Sequence, residues 1–229
     1  MLKKINLSNG KILWGDFMKN VLCVITARGG SKGIKNKNII DLNGYPLIYY
    51  TIKAAIDSEI FSKVIVSTDS EEIASVSEKY GAEVPFMRPE ELSGDSASSM
   101  DTLIHAIGES ERIYSEKYDT VVLLQPTSPL RTGKNISEAF EIFINKKANS
   151  VVSVCETDHS PLWSNVLPGS LSMDNFLREE VKNGRRQNLE IFYRLNGAVY
   201  IADTDYIKKY RDWFHENSYA YIMDKKNSV

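Results

Sequence analysis

Residues 25–38 read I-T-A-R-G-G-S-K-G-I-K-N-K-N, from Ile25 to Asn38. The five residues Val21 to Ile25 that lead into this stretch are all apolar, which predicts a strand buried on both faces. Behind it, three glycines (Gly29, Gly30, Gly33) and four cations (Arg28, Lys32, Lys35, Lys37) fall within ten residues. A buried strand that opens into such a loop presents bare backbone N–H groups and converging positive charge, an arrangement suited to a polyphosphate.

Two better-known glycine loops do not fit. A Walker loop needs Gly-Lys-Ser/Thr at its end, whereas the order here is Ser31-Lys32-Gly33. A dinucleotide fingerprint needs G-x-G-x-x-G, and adjacent Gly29-Gly30 followed by Gly33 does not supply it. The bland alternative is a solvated strand-to-helix loop. Clustered Lys and Arg repel one another unless an anion visits, so the density of cations argues against it.

Composition bounds the rest. At 229 residues and 42% hydrophobic, the chain is long enough for one large α/β domain. A net charge of −2 makes the basic character local, which argues against a general nucleic-acid binder. Cys23 and Cys155 form no C-x-x-C, and His105, His159 and His215 are scattered, so neither a zinc site nor a disulfide framework is expected. No apolar run approaches the ~20 residues that span a bilayer, and the N-terminus lacks a signal-like apolar stretch. A reduced, cytoplasmic, soluble protein is the expectation.

Three readings stay open for residues 1–17: a strand pair turning at Asn9-Gly10, a tail, or translated upstream sequence. In the last, Gly15-Asp16 would be encoded by a purine-rich ribosome-binding sequence and natural translation would begin at Met18. From Val21 onward, β-rich runs alternate with helical patterns, the mark of a parallel sheet built from βαβ units. Strands are predicted at Val21–Thr26, Val64–Ser67, Val121–Leu124, Val151–Val154 and Ala198–Ala202. Helices are predicted at about Pro46–Ser58, Ser70–Tyr80, Met100–Ser115 and Gly133–Lys147. Asp69 or Ser70 caps the second helix, with Glu72 closing a capping box from Asp69 and Gly81 as its stop. In an open parallel sheet the ligand lies beyond the carboxyl ends of the strands. The Arg28 loop, Ser67-Thr68-Asp69 and the run from Gln125 to Arg131 are therefore expected at one rim. Between Cys155 and Tyr193, Pro161, Trp163, Pro168, Gly169 and Gly184 break the pattern, as an inserted lid or oligomer interface would.

Five ordered blocks carry a resemblance. They are A-R-G-G-S-K-G-I-x-x-K-N-I from Ala27, V-S-T-D-S-x-E-I-A from Val66, and R-P-x-x-L-S-x-D-x-A-S-S from Arg88. L-L-Q-P-T-S-P-L-R follows from Leu123, and R-R-Q-x-L-x-x-x-Y-R-x-N-G-A-V-Y-I from Arg185. With these, residues 20–229 resemble the nonulosonate cytidylyltransferases, the CMP-N-acetylneuraminate and CMP-legionaminate synthetases. The resemblance implies a Rossmann-like fold, a mostly parallel sheet with helices on both faces. It divides the chain into an extension (1–17), a nucleotide-binding core (18–154), a dimerisation or lid insertion (155–195) and a return to the core (196–229).

The chemistry so implied is attack by the C2 hydroxyl of a nine-carbon α-keto acid sugar on the α-phosphorus of CTP, with pyrophosphate leaving. By resemblance Arg28 and Lys37 follow the developing charge, and Ser31 and Lys32 sit at the phosphates. Ala27, Gly29, Asn38, Arg88, Ala97 and Ser99 serve the nucleotide. Gln125, Arg131, Arg186 and Tyr200 serve the sugar acid, with Trp213 and Phe214 reaching across a homodimer into the partner's pocket. Lys35, where the family usually has proline, is read as a solvated cation, and Asp69 as a helix cap in preference to a catalyst. Asp95 is an alternative cap for the third helix, and surface ion pairing is the alternative for Arg131. Mg2+ is implied, held by aspartates of a D-I-D motif expected just after Asn227-Ser228-Val229, so the metal ligands are unassigned here. This polypeptide alone is accordingly expected to be weakly active or inactive. No nucleic acid or membrane partner is implied. The other class considered is a nucleotide-sensing protein that keeps the fold without the metal site. Among enzymes, a Kdo or a pseudaminate cytidylyltransferase ranks lower, the latter because its usual residue at the place of Gly33 is Arg.

Overall fold

The computed structural model describes residues 4–6, 12–14, 17–30, 33–34, 36–94, 97–182 and 190–228. Strands β1 (Lys4–Asn6), β2 (Ile12–Trp14) and β3 (Phe17–Lys19) form a small antiparallel sheet of their own. This agrees with the strand-pair reading of the extension, although Asn9-Gly10 lies outside the described residues.

Strand β4 (Val21–Thr26) is the spine of the domain. Val21, Cys23 and Ile25 face one core cluster, Leu22 and Val24 the other, and all five have no solvent exposure. A strand with no polar face must be covered on both sides, and the elements that follow do so. A short turn at Lys37–Ile39 and a two-residue hairpin, β5 (Asp41–Leu42) and β6 (Tyr45–Pro46), lead into α1 (Leu47–Ser58). Then come β7 (Lys63–Ser67), α2 (Glu71–Lys79), α3 (Ser99–Tyr114), β8 (Thr120–Leu124), α4 (Gly133–Asn145) and β9 (Ser150–Glu156). A loop-rich excursion containing the four-residue helix α5 (Glu179–Lys182) precedes β10 (Tyr193–Asp203), α6 (Thr204–Tyr210) and β11 (Ser218–Ile222).

Helices α1 and α4 bury Ile48, Ile52, Ile136 and Phe140 on one face of the sheet, while α3 and α6 bury Leu103, Ile107 and Ile207 on the other. Each such side chain contributes about 1.5–3 kcal/mol by leaving water. The six strands run in the order β11-β9-β10-β8-β4-β7. Strand β4 is parallel to β7 and β8, β11 is parallel to β9, and β10 is antiparallel to both neighbours. The expected mostly parallel α/β fold is therefore present, and β10 is the one strand that runs against the other five. The physical reason is its connection. A parallel strand needs a crossover to the far edge, whereas the excursion after β9 returns the chain beside the end it left. Strand β11 and α6 were absent from the reading of the sequence. Cys23 and Cys155 are both buried and free, and among the described residues no helix is long and apolar enough to cross a membrane.

The helix pair α1 and α4 touches at Gly133, where an added Cβ would lie 2.7 Å from the Ser58 nitrogen and 2.8 Å from the Asp57 carbonyl carbon. Gly108, exposed on α3, has nothing within 4 Å of the same atom. Opposite outcomes are expected in urea unfolding: Gly133→Ala loses about 1–3 kcal/mol through overpacking, and Gly108→Ala gains about 0.5–1 kcal/mol from helix propensity. Equal effects of the two would contradict the packing described here.

Candidate active site

The carboxyl ends of β4 and β8 open onto a cavity of about 620 Å³, a size ordinary for a small-molecule site. Its walls bring together Arg28, Lys37, Asn38, Arg88, Ala97 and Ser99 from the expected nucleotide set and Gln125 from the expected sugar set. Three of these are cationic side chains, and the described lining contains no carboxylate. The cavity is therefore built for an anion. Ser31, Lys32, Lys35, Asp95 and Arg186 lie outside the described residues.

Each wall is fixed by backbone geometry. Ala27 extends the β4 ladder through its N–H to Ser67 O at 3.0 Å, which delivers Arg28 at the rim. Arg28 Nη1 donates to Gly94 O at 3.2 Å, joining the glycine-rich loop to the segment before α3. Asn38 is 5% exposed, and its Nδ2 donates to Arg28 O at 2.9 Å, so the amide expected at the nucleoside also pins the loop. Ser99 is the first residue of α3, whose cap is Ser98: that hydroxyl accepts from Met100 N at 3.1 Å and Asp101 N at 3.4 Å. The positive end of a 16-residue helix thus meets the cavity.

Asp69 departs from its expected part. The cap of α2 is Ser70, which accepts from Ile73 N at 3.4 Å, while Asp69 Oδ1 accepts the Gly29 N–H at 2.8 Å. No capping box forms from Asp69, because its carboxylate is turned across to the loop. The loop passes close to this corner, since a Cβ at 29 would come 3.1 Å from Ser70 Cβ. Gly29, expected to offer its amide to phosphate, has given it to Asp69.

Arg88 is only 7% exposed. Its Nε donates to Ser67 Oγ at 3.0 Å, its Nη2 to Ser67 O, and its own N–H to Thr68 O at 2.7 Å. Burial holds its pKa below the usual guanidinium value; neighbouring Asp69 favours its charge and Arg28 opposes it. Arg131 likewise lies inside the protein, which corrects its surface ion-pair alternative. It is 2% exposed and sends Nη1 to Gln125 O at 3.1 Å and Ala198 O at 2.8 Å. Burial, only partly offset by neighbouring Cys23, lowers its pKa to about 10. One nitrogen of the guanidinium thus bridges the main chain just after β8 to that of β10.

Tyr200 and Trp213 pack together with ring centroids 5.1 Å apart, beside the core on the α3 face, and burial raises the Tyr200 phenol. Phe214 is 54% exposed. None of the three lines the cavity of this chain. A residue the motif reading passed over does shape it: Gly197, at φ +71°, in the bulge of β10 between Leu195 and Tyr200. A Cβ there would stand 2.9 Å from Gln125 Oε1. The signal for it was an Asn-Gly pair inside a strand pattern, which marks a bulge or a close approach.

Comparison with known proteins follows the same lines. The model of the family described as Cytidylyltransferase matches residues 22–226. The chain is 40% identical over 210 residues to an N-acylneuraminate cytidylyltransferase of Escherichia coli O18:K1:H7, covering 91% of this chain and 48% of that protein. It is 38% identical to a CMP-N,N'-diacetyllegionaminic acid synthase of Legionella pneumophila, covering 89% and 87%. It is 39% identical to a pseudaminic acid cytidylyltransferase of Campylobacter jejuni, covering 93% and 86%. The chain thus spans about half the length of the first of these and most of the other two. Among solved structures, a CMP:2-keto-3-deoxy-manno-octonic acid synthetase complexed with CTP superposes with a TM-score of 0.64 at 15% identity, covering 89% of this chain and 90% of that one. That likeness is one of fold.

The seat of Gln125 can be tested by a double-mutant cycle in urea. Gly197→Ala is expected to lose about 1–3 kcal/mol, chiefly from the positive φ, with a smaller part from displacing the Gln125 amide. In a Gln125→Ala background only the backbone part should remain, so the two substitutions couple. Strict additivity would show that Gly197 does not shape the Gln125 side chain.

Proposed function

The chain belongs to the cytidylyltransferase family, and from that premise we propose that it joins CTP to a nine-carbon α-keto acid sugar, giving the CMP-sugar and pyrophosphate. The observation that carries the reading is the cavity with Arg28, Lys37 and Arg88 among its walls, no carboxylate in the described lining, and Gln125 at the end of β8. In the proposed reaction the C2 hydroxyl oxygen forms the new bond to the α-phosphorus, and the bond from that phosphorus to the bridging oxygen breaks. The hydroxyl proton passes to solvent.

Negative charge then grows on the bridging and leaving oxygens. Arg28 and Lys37 are assigned to it, because cations held in place before the reaction need no reorganisation when the charge appears. Ser31 and Lys32 are assigned to the phosphates, with Ala27, Asn38, Arg88, Ala97 and Ser99 framing the nucleoside; Gly29 contributes the close approach of the loop. Gln125 can donate to and accept from sugar hydroxyls, and Arg186 is assigned to the sugar carboxylate. The described residues contain no group of three or more His, Cys, Asp or Glu able to hold a metal ion. The Mg2+ implied by resemblance has no such group among them.

We further propose a homodimer formed through the excursion, where Val166, Leu171, Met173 and Ile191 are 60–87% exposed. Tyr200, Trp213 and Phe214 would then serve the partner's sugar site. Sialic or legionaminic acid is the proposed acceptor. Relatives named for sialic, legionaminic and pseudaminic acids are 40%, 38% and 39% identical, and these identities do not rank the three. A cytoplasmic location accords with the need for CTP.

Pyrophosphate release from CTP, measured with a panel of the three nonulosonic acids and Kdo, tests the reading. Product is expected with a nine-carbon acid, and Arg28→Ala and Lys37→Ala should each lower kcat by about 100-fold or more. Release with Kdo alone would overturn the substrate class, and full activity of either variant would overturn that residue's role.

A further inference from the structure

We infer that Asp69 is a positioning residue for Arg28: its carboxylate holds the N–H of the next residue, Gly29, and so fixes where the guanidinium enters the cavity. This rests on the proposed function only in giving Arg28 work to do. The anchoring itself stands on the geometry.

Arg28 sits on a backbone that three hydrogen bonds restrain. Upstream, Ala27 N bonds Ser67 O at 3.0 Å. At the residue itself, Asn38 Nδ2 holds the carbonyl at 2.9 Å. Downstream, Gly29 N reaches Asp69 Oδ1 at 2.8 Å. Two of the three anchors, Ser67 and Asp69, belong to the end of β7 and the corner that follows it. The would-be Gly29 Cβ lies 3.1 Å from Ser70 Cβ and 3.8 Å from Asp69 Oδ1, so the loop and the corner are in direct contact. Removal of Asp69 would free the backbone immediately after Arg28 while leaving the anchors before it.

Two properties of the carboxylate could matter, and their sizes differ. Its charge acts on Arg88, which also feels Arg28. Asp69 is exposed, however, and a solvated charge of this kind contributes little. The acceptor oxygen is the larger effect, because a directed bond to a loop amide sets a position and not merely a potential. An amide at 69 keeps an acceptor of the same reach, whereas alanine removes it. The assignment therefore predicts rescue by asparagine.

The test compares wild type, Asp69→Asn and Asp69→Ala in two measurements. The first is hydrogen exchange of the backbone at residues 27–30 in the ligand-free protein. The second is steady-state pyrophosphate release with CTP and the best acceptor. Asp69→Ala should exchange faster at 27–30 and lose about 10- to 100-fold in kcat, the scale expected when a reacting group is misplaced by about an ångström. Asp69→Asn should keep near wild-type exchange and stay within about threefold in kcat, equivalent to about 0.65 kcal/mol. A merely structural role would lower the folded fraction without changing exchange at 27–30 in the folded protein. The inference is overturned if Asp69→Ala exchanges like wild type at 27–30, if its kcat is unchanged, or if asparagine is as damaging as alanine. Should the wild-type chain make no product, the proposed function falls while the exchange comparison still decides the anchoring.

Discussion

Main-chain carbonyls around the carboxyl ends of the central strands take arginine as an added donor. Arg88 bonds the carbonyl of Ser67 at the end of β7, and Arg131 bonds those of Gln125, just after β8, and Ala198, in β10. Arg28, just after β4, bonds the carbonyl of Gly94. Buried carbonyls need donors, and a guanidinium offers several in one rigid plane. The consequence is a rim whose internal bracing is cationic. Burial lowers the pKa of both Arg88 and Arg131, so the fold bears a desolvation cost at the end where the cavity opens.

That bracing gives the cavity its sign. Arg28, Lys37 and Arg88 reach it together, and the described lining adds no carboxylate to neutralise them. The nearby acid with a defined contact, Asp69, bonds a loop amide instead. Positive charge here is preorganised in the physical sense: the backbone holds it in position before any anion arrives.

Much of this was legible in the sequence because it rests on local pattern. The apolar run from Val21 to Ile25 announced a doubly covered strand, and Gly29, Gly30 and Arg28 announced the loop behind it. What escaped has long-range causes. The reversed direction of β10 depends on where the excursion returns, which no periodicity encodes. Arg131 reads as a surface residue because its type usually is one, and only the convergence of the Gln125 and Ala198 carbonyls takes it inside. Asp69 stands at a position where an acid caps a helix as readily as it does anything else. The choice was made by Gly29, a residue 40 positions away, and Ser70 was free to cap in its place. Ser31, Lys32 and Arg186 rest on resemblance alone.

Strand β10 has two halves with different surroundings. Tyr193, Arg194 and Leu195 pair with β9 alone, whereas Tyr200 to Ala202 are held between β9 and β8. The bulge between them carries Asn196, whose side chain accepts from Ser153 Oγ at 2.6 Å and donates to Ser228 Oγ at 3.0 Å, and Gly197, which backs Gln125. The outer half therefore joins the excursion to the bulge, and the bulge sets the Gly197 backbone against the Gln125 amide, so that only two residues separate the last pairing of the outer half from the glycine behind Gln125.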